Sequence, residues 1–163
     1  MSDSISNPYA APSAELNTPL NSNNLKQLPR FSAWWVFLLS IVTFGIYPLW
    51  WLYSRTSTLN QIQNRPIAIE LVYVLVVLLV GSFVLGFVAG FSDTSYALIE
   101  NTISIAYWVI YLIVAYSIRN RLHGIFATEG HNARIGPILT FFFSTIYLQY
   151  KINEAIDVTS SNS

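Results

Sequence analysis

The chain has 163 residues, of which 53% are hydrophobic and only 10% are charged, and its formal net charge is zero. Soluble domains carry about 25% charged residues, so the deficit favours a membrane protein. The zero net charge argues against nucleic acid as a partner. The chain lacks cysteine, which excludes disulfides, thiolate nucleophiles and cysteine metal sites.

Residues 1–30 are rich in Ser, Asn and Pro and lack the basic start and apolar stretch of a signal peptide. Such a sequence buries too little apolar surface to fold alone, so it predicts a disordered cytoplasmic tail. Residues 31–157 form the expected membrane domain, and residues 158–163 a second short tail. The stretch "NPYAAP" is a candidate linear motif for a protein partner, through Asn7, Pro8, Tyr9 and Pro12.

Four apolar segments follow the tail, at residues 31–53, 71–91, 97–118 and 135–150. The second and third reach the roughly 20 residues that a spanning helix needs, and their short connection predicts an antiparallel hairpin. The fourth is short for a span. The first is interrupted by Gly45 and Pro48, which predict a helix that ends near Thr43 and restarts with Pro48 in its first turn.

The positions of the basic residues decide between topologies, because Lys and Arg collect on the cytoplasmic side. If all four segments span, the basic residues divide between the two sides. If the first and fourth are re-entrant, all eight face the cytoplasm, and the far loop carries Asp93 instead. We therefore predict an all-α integral membrane protein in which two broken or re-entrant segments flank a central transmembrane hairpin, with both termini cytoplasmic. A proline-kinked first span is the alternative. The basic residues are Lys26, Arg30, Arg55, Arg65, Arg119, Arg121, Arg134 and Lys151.

The first and fourth segments also suggest a weak internal repeat. At an offset of 97 residues, Thr43 and Phe44 align with Thr140 and Phe141.

The stretch "LLSIVTFGIYPLWWLYSRTSTLN" resembles the bacterial membrane domain of unknown function 4234. The family resembles this stretch in having the motif T-x-G-I-Y, followed by an aromatic-W-x-Y cluster, a basic residue and L-N. The resemblance implies a bacterial inner-membrane protein and supplies no reaction. In the later stretch "ILTFFFSTIYLQYKIN", Phe142 and Ser144 stand at the glycine and tyrosine positions, so the resemblance does not support a sharp turn there. The signature positions are Thr43, Gly45, Ile46, Tyr47, Trp50, Trp51, Tyr53, Arg55, Leu59 and Asn60.

Ser82, Gly86 and Gly90 recur at four-residue spacing in the second segment. Small residues at this spacing form a seam that lets two helices approach closely. Packing against the third segment of the same chain is the favoured interpretation, and a homo-oligomer interface is the alternative.

The sequence contains no recognisable catalytic set, phosphate loop or cofactor motif, and the spacing of His123, Glu129 and His131 fits no zinc pattern. We therefore predict a protein that is not an enzyme, has no cofactor or metal, and binds partners or organises the lipid bilayer. The alternative is a small oligomeric channel or transporter with its site at the two breaks. Its pathway would be lined by Thr43, Gly45, Tyr47, Thr140, Ser144 and Thr145.

Overall fold

The computed structural model describes residues 27–62, 66–91, 96–128 and 134–161. Every regular element in these ranges is an α-helix, which confirms the all-helical prediction. The helices are α1 (Ala33–Val42), α2 (Ile46–Ile62), α3 (Glu70–Phe91), α4 (Ala97–Thr128) and α5 (Pro137–Ser161).

Helices α3 and α4 are the two long apolar helices, and they pack along each other. Glu70–Phe91 and Ala97–Ala127 are both long and apolar enough to cross a membrane, as the second and third segments predict. We call the end of this pair that carries Glu70 and Ala127 the packed end, and the end that carries Phe91 and Ala97 the far end. Helix α4 extends ten residues beyond the predicted segment, because Leu122, Ile125 and Phe126 continue a buried stripe at helical spacing.

Helices α1 and α2 form a tight hairpin, which confirms the predicted break. Helix α1 ends at Val42, and α2 begins at Ile46 with Pro48 in its first turn. The chain reverses between them, as a hydrogen bond of 3.1 Å from Arg55 in α2 to the carbonyl oxygen of Pro29, which precedes α1, shows. We call this element the first broken hairpin.

Helix α5 consists of two arms that meet at a kink at Ser144. The first arm lies along α4, where Tyr116 donates a hydrogen bond of 2.8 Å to the carbonyl oxygen of Pro137. The second arm lies along α1, where Asn153 donates one of 2.7 Å to the carbonyl oxygen of Phe31. We call α5 the second broken hairpin.

The tips of both broken hairpins lie near the middle of the long helices. Ile46, just after the first break, lines one groove with Val80 and Phe83 of α3. Since α3 is about 33 Å long at 1.5 Å per residue, these neighbours lie about halfway along it. At the second break, Tyr111 of α4 interacts with Ser144.

The hydrophobic core is confined to the packed end. The buried residues of α3 are Val72 and Leu75, in its first two turns. Those of α4 lie between Tyr111 and Phe126, in its second half. Beyond this core, the halves of α3 and α4 toward the far end pack chiefly on each other.

The packed structure extends beyond both expected domain boundaries, at residues 30 and 157. Leu28 is only 2% exposed, so the packed part begins before residue 30. Helix α5 continues to Ser161, past residue 157, and Asp157 forms an ion pair of 2.9 Å with Arg30. The candidate partner motif of Asn7, Pro8, Tyr9 and Pro12 lies outside the described residues.

Candidate functional site

The first break is held by a threonine hydroxyl that serves both helices. Thr43 Oγ1 donates a hydrogen bond of 2.6 Å to the carbonyl oxygen of Leu39 in α1 and accepts one of 2.9 Å from the N–H of Tyr47 in α2. The first N–H groups of a helix have no partner within it, so this oxygen satisfies one of them. Thr43 therefore joins the two helices across the turn.

The backbone reverses through two residues with positive φ, Phe44 at 50° and Gly45 at 88°. The N–H of Gly45 bonds to the carbonyl oxygen of Ser40 at 3.0 Å, and that of Phe44 bonds to Ile41 at 3.1 Å. These two bonds define a Schellman motif, in which Phe44 occupies the left-handed C′ position that is usually glycine and Gly45 follows it. A Cβ on Gly45 would meet nothing within 4 Å, so the position requires glycine for its backbone conformation and not for space.

The second break uses serine where the first uses phenylalanine and glycine. Ser144 has φ 31° and ψ −108°, an uncommon conformation for a residue with a side chain. Its hydroxyl donates to the carbonyl oxygen of Thr140 at 3.0 Å, and Thr140 Oγ1 donates to that of Gly136 at 2.9 Å. The side chains of Ser144 and Thr145 also interact with the hydroxyl of Tyr111.

The positive-φ residues Phe44 and Ser144 are 100 positions apart. At this offset Ile46 and Tyr47 correspond to Ile146 and Tyr147. The expected offset of 97 is therefore three residues out of register with the two breaks. Thr43 and Thr140 are not equivalent positions, because Thr140 lies four residues before its break and Thr43 lies one residue before.

Between the two broken hairpins lies a polar cluster, formed by the buried residues Trp51, Arg55 and Gln149 and by half-buried Asn153. Gln149 Oε1 accepts hydrogen bonds of 2.8 Å from Trp51 Nε1 and 2.7 Å from Arg55 Nη2. Gln149 Nε2 donates one of 2.9 Å to Asn153 Oδ1. The cluster thus links α2 to the second arm of α5.

The same cluster fixes the segment that enters α1. The carbonyl oxygen of Pro29 accepts from Arg55 at 3.1 Å and from Gln149 at 3.4 Å. Asn153 donates its hydrogen bond of 2.7 Å to the carbonyl oxygen of Phe31. Since the backbone acceptors before α1 are satisfied by α2 and α5, the cluster fixes the position of residues 29–31 against these two helices.

Arg55 is a buried cation whose described partners are neutral. Its side chain is 2% exposed, and its Nε and the hydroxyl of neighbouring Thr56 have no hydrogen-bond partner among the described residues. Its Cζ lies 5.4 Å from the centroid of the Trp51 ring, a favourable cation–π distance. Burial lowers the pKa of Arg55 to about 10, an effect that Tyr47 opposes. The group therefore keeps its charge at neutral pH.

The remaining signature positions divide between a loop brace and an exposed face. The side chain of Asn60 donates a hydrogen bond of 2.8 Å to the carbonyl oxygen of Ile67 and accepts one of 2.6 Å from the N–H of Ile67. These two bonds close the α2–α3 connection. Leu59 is buried in the core. Three exposed residues line an apolar groove of about 420 Å³ against α3, namely Ile46, Trp50 and Tyr53.

A second apolar groove, of about 560 Å³, lies between α1 and α5. It is lined from α1 by Trp34 and Phe37 and from α5 by Phe143, Tyr147 and Tyr150. The N–H of Gly136 donates to the hydroxyl of Tyr147 at 3.0 Å, so the ring is held in place. Both grooves are predominantly apolar.

The predicted seam of Ser82, Gly86 and Gly90 lies on α3. A Cβ at Gly86 or Gly90 would meet nothing within 4 Å, so the favoured packing against α4 is not seen at these two glycines. A seam between chains stays a prediction. His123 is exposed on α4, while Glu129 and His131 lie outside the described residues. Among the residues that were described, no group of three His, Asp or Glu lies close enough to hold a metal ion.

Sequence reasoning missed Gln149 as the centre of the cluster. Its signal is a polar residue in an apolar segment, four positions before Asn153 and so on the same helix face. The partner of that face cannot be read from local periodicity, because Arg55 precedes Gln149 by 94 residues.

The fold and the cluster together define a helical protein in which two broken hairpins pack around one end of a pair of potential membrane-spanning helices. Comparison with protein families shows to which family this helical protein belongs. The model of the domain of unknown function DUF4234 matches residues 31–124, more than half of the chain, and the chain belongs to that family. This confirms the resemblance. Neither the curated proteins nor the solved structures contain a match to the chain. The family match ends within α4, so Gln149 and Asn153 lie beyond it.

Proposed function

We propose that the chain is a bacterial inner-membrane protein that spans the bilayer twice and works by binding partners or organising the membrane, without catalysis. Both broken hairpins enter from the cytoplasmic face and return to it, and both termini are cytoplasmic. Two observations support this arrangement, namely the exposed apolar surface of α3 and α4 and the positions of the basic residues.

The apolar surface of α3 and α4 requires a nonaqueous environment. Val77, Phe87 and Leu98 are each about 70% exposed or more. Only 11% of the apolar window in each helix is buried within the structure, whereas the core helix of a soluble protein is mostly buried. An exposed apolar surface of this extent on an isolated soluble protein would promote aggregation. Lipid chains cover it at no such cost.

The basic residues support the orientation. Arg119 and Arg121 lie on the last turns of α4, Arg30 pairs with Asp157 beside the start of α1, and Lys151 pairs with Glu154 on α5. All are at the packed end. Since basic residues collect on the cytoplasmic side, the packed end faces the cytoplasm.

The observation that carries the proposed role is that both breaks are closed by their own polar groups. Thr43, Thr140 and Ser144 each donate to a backbone carbonyl four residues earlier. The grooves beside the breaks are apolar. A conduit needs polar groups directed into a water-filled path. Satisfied breaks beside apolar grooves instead favour a rigid scaffold, and the channel or transporter remains the alternative.

Single cysteines test the topology, since the natural chain has none. We would place them at Ser22, Gln63, Asp93, Asn132 and Ser161 and treat intact cells with a membrane-impermeant thiol reagent. Labelling is expected only at Asp93→Cys, with all five positions reactive after the membrane is opened. Labelling of Gln63→Cys or Asn132→Cys in intact cells would exclude the proposed arrangement.

Deletion of residues 1–19 separates the partner role from the conduit. If the tail recruits a partner, the deleted protein still inserts but loses a species that co-purifies with the full chain. Thr43→Val then affects stability alone. In a conduit the deletion is silent, and Thr43→Val alters ion or solute flux through reconstituted vesicles. An unchanged co-purification profile together with a Thr43-dependent flux would favour the alternative.

A further inference from the structure

The two halves of the molecule differ in width. At the packed end, six helical segments lie side by side, namely α1, α2, the two arms of α5 and the adjoining halves of α3 and α4. At the far end only α3 and α4 continue, within the residues described. A helix with its side chains is about 10 Å across, so the packed half occupies about three times the cross-section of the far half.

The contacts place this change of width near mid-height. The first broken hairpin stops beside Val80 and Phe83 of α3, and the second stops beside Tyr111 of α4. Among the described residues, none in the last two turns of α3 or the first two turns of α4 is buried. The wide cross-section therefore stops short of the far end.

The outer surface of the wide half is as apolar as that of the narrow half. Trp34 at 76%, Phe44 at 81% and Phe142 at 71% are exposed on the two broken hairpins. Exposed apolar side chains of this kind are stable only if the hairpins lie within lipid. The wide half therefore occupies membrane area in the leaflet that it enters and excludes lipid molecules from it. The narrow half displaces much less from the other leaflet.

The packing makes this shape rigid. The arms of the first hairpin are tied by Thr43 across the turn and by Arg55 to the chain before α1. The second hairpin is tied to the first through Gln149, 2.7 Å from Arg55, and to α4 through Arg119, which donates 2.7 Å to the carbonyl oxygen of Ile135. Because the wide half cannot flatten, the bilayer must adapt to it.

We infer that the protein is a membrane wedge that prefers, and at high density promotes, bilayers whose cytoplasmic leaflet is convex. This inference deepens the proposed organising role and rests on the topology proposed above. Its ligand is the lipid bilayer itself, selected by curvature, since insertion into one leaflet is favoured where that leaflet is already expanded.

The test uses the two orientations of the same chain as matched controls. Full-length Gln61→Cys exposes a thiol at the packed end, and full-length Ala97→Cys exposes one at the far end. Each protein is reconstituted without orientation bias into phosphatidylethanolamine–phosphatidylglycerol vesicles of graded diameter. An impermeant fluorescent maleimide then labels from outside only the molecules that present the thiol outward. For each single vesicle, the fluorescence of the maleimide dye is divided by the fluorescence of a lipid dye, which gives the density of outward-facing thiols.

The density of labelled Gln61→Cys is expected to rise several-fold from the largest to the smallest vesicles, and that of labelled Ala97→Cys is expected to fall. A general bias of reconstitution would move both in the same direction. Equal densities at all diameters, or a common trend, would overturn the wedge. If the topology experiment in cells succeeds and this one fails, the proposed function stands without the wedge. If Gln63→Cys labels in cells, the proposed topology fails first.

Discussion

Arg55 and Gln149, 94 positions apart in the chain, meet through a hydrogen bond of 2.7 Å in the buried interior of the packed end. The same amide oxygen accepts from Trp51, so one side chain of α5 satisfies two donors of α2. A buried cation that loses a partner is costly, and this relationship therefore makes the two broken hairpins depend on each other for stability.

Gln149→Leu should lower the free energy of unfolding in detergent by about 1.5–3 kcal/mol, the usual value for a lost hydrogen bond to a charged group, because Arg55 then stays buried with fewer partners. Arg55→Leu should cost less, since no charge is left behind. The double variant should be more stable than the sum of the two single effects indicates. Gln61→Leu, an exposed position on α2, serves as the control and should change stability by about 0.5 kcal/mol or less. Additive single effects would show that the two side chains act independently.

Gly45→Ala should destabilise the protein by about 1–2 kcal/mol, the cost of a left-handed conformation for a residue with a Cβ. The space around Gly45 is open, so steric overlap adds nothing. Gly81→Ala is the matched control, because its surroundings are equally open and it lies inside α3. Alanine favours a helix interior, so this control should be neutral or stabilising. Thermal unfolding in one detergent compares them, and equal effects at both positions would contradict the role assigned to φ.

The first break could be predicted from the sequence, whereas the second could only be suspected. Gly45 and Pro48 act on their own backbone, so their effect is visible locally. Ser144 adopts positive φ because Tyr111, Thr140 and the packing of both arms outweigh its intrinsic preference, and these partners come from the tertiary structure. The buried cluster was missed for the same reason. Arg55 appears in the signature, but its partners lie far away in the sequence.

The extension of α4 shows a different limit. The third apolar segment ends at residue 118 in the sequence, yet the stripe of Leu122, Ile125 and Phe126 packs into the core and prolongs the helix. Arg119 remains compatible with burial of its neighbours because it donates to the carbonyl oxygen of Ile135. Burial on one helix face thus outweighed local polarity.

Asn60→Ala should loosen the connection between α2 and α3. The substitution removes both bonds to Ile67, whose N–H and carbonyl are partly buried, at a cost of about 1–3 kcal/mol. Because the effect is local, limited proteolysis at this connection should accelerate by more than the change in global stability implies. The neighbouring Gln61→Ala controls for the loss of a side chain at the end of α2. Proteolysis that is unchanged relative to this control would show that the brace is dispensable.

Asn60→Asp distinguishes the two halves of that brace. The carboxylate still accepts from the N–H of Ile67, but it cannot donate to the carbonyl oxygen and faces it at short range. We therefore expect Asn60→Asp to be at least as sensitive to proteolysis as Asn60→Ala at neutral pH. Protection by Asp to the level of the natural chain would mean that the N–H bond alone closes the connection.

Gly86→Leu tests whether the small-residue seam joins two chains. A Cβ at Gly86 or Gly90 meets no atom within 4 Å, so a side chain can leave the backbone there without a contact inside the monomer. If chains associate through the seam, the leucine separates their helices, and the oligomer should dissociate into monomers of unchanged thermal stability. Light scattering of the detergent-solubilised protein measures the mass. Val84→Leu adds bulk on the other side of α3 and should leave the mass as it is. An oligomer that persists in Gly86→Leu, or a natural chain that is already monomeric, would exclude the seam as an interface.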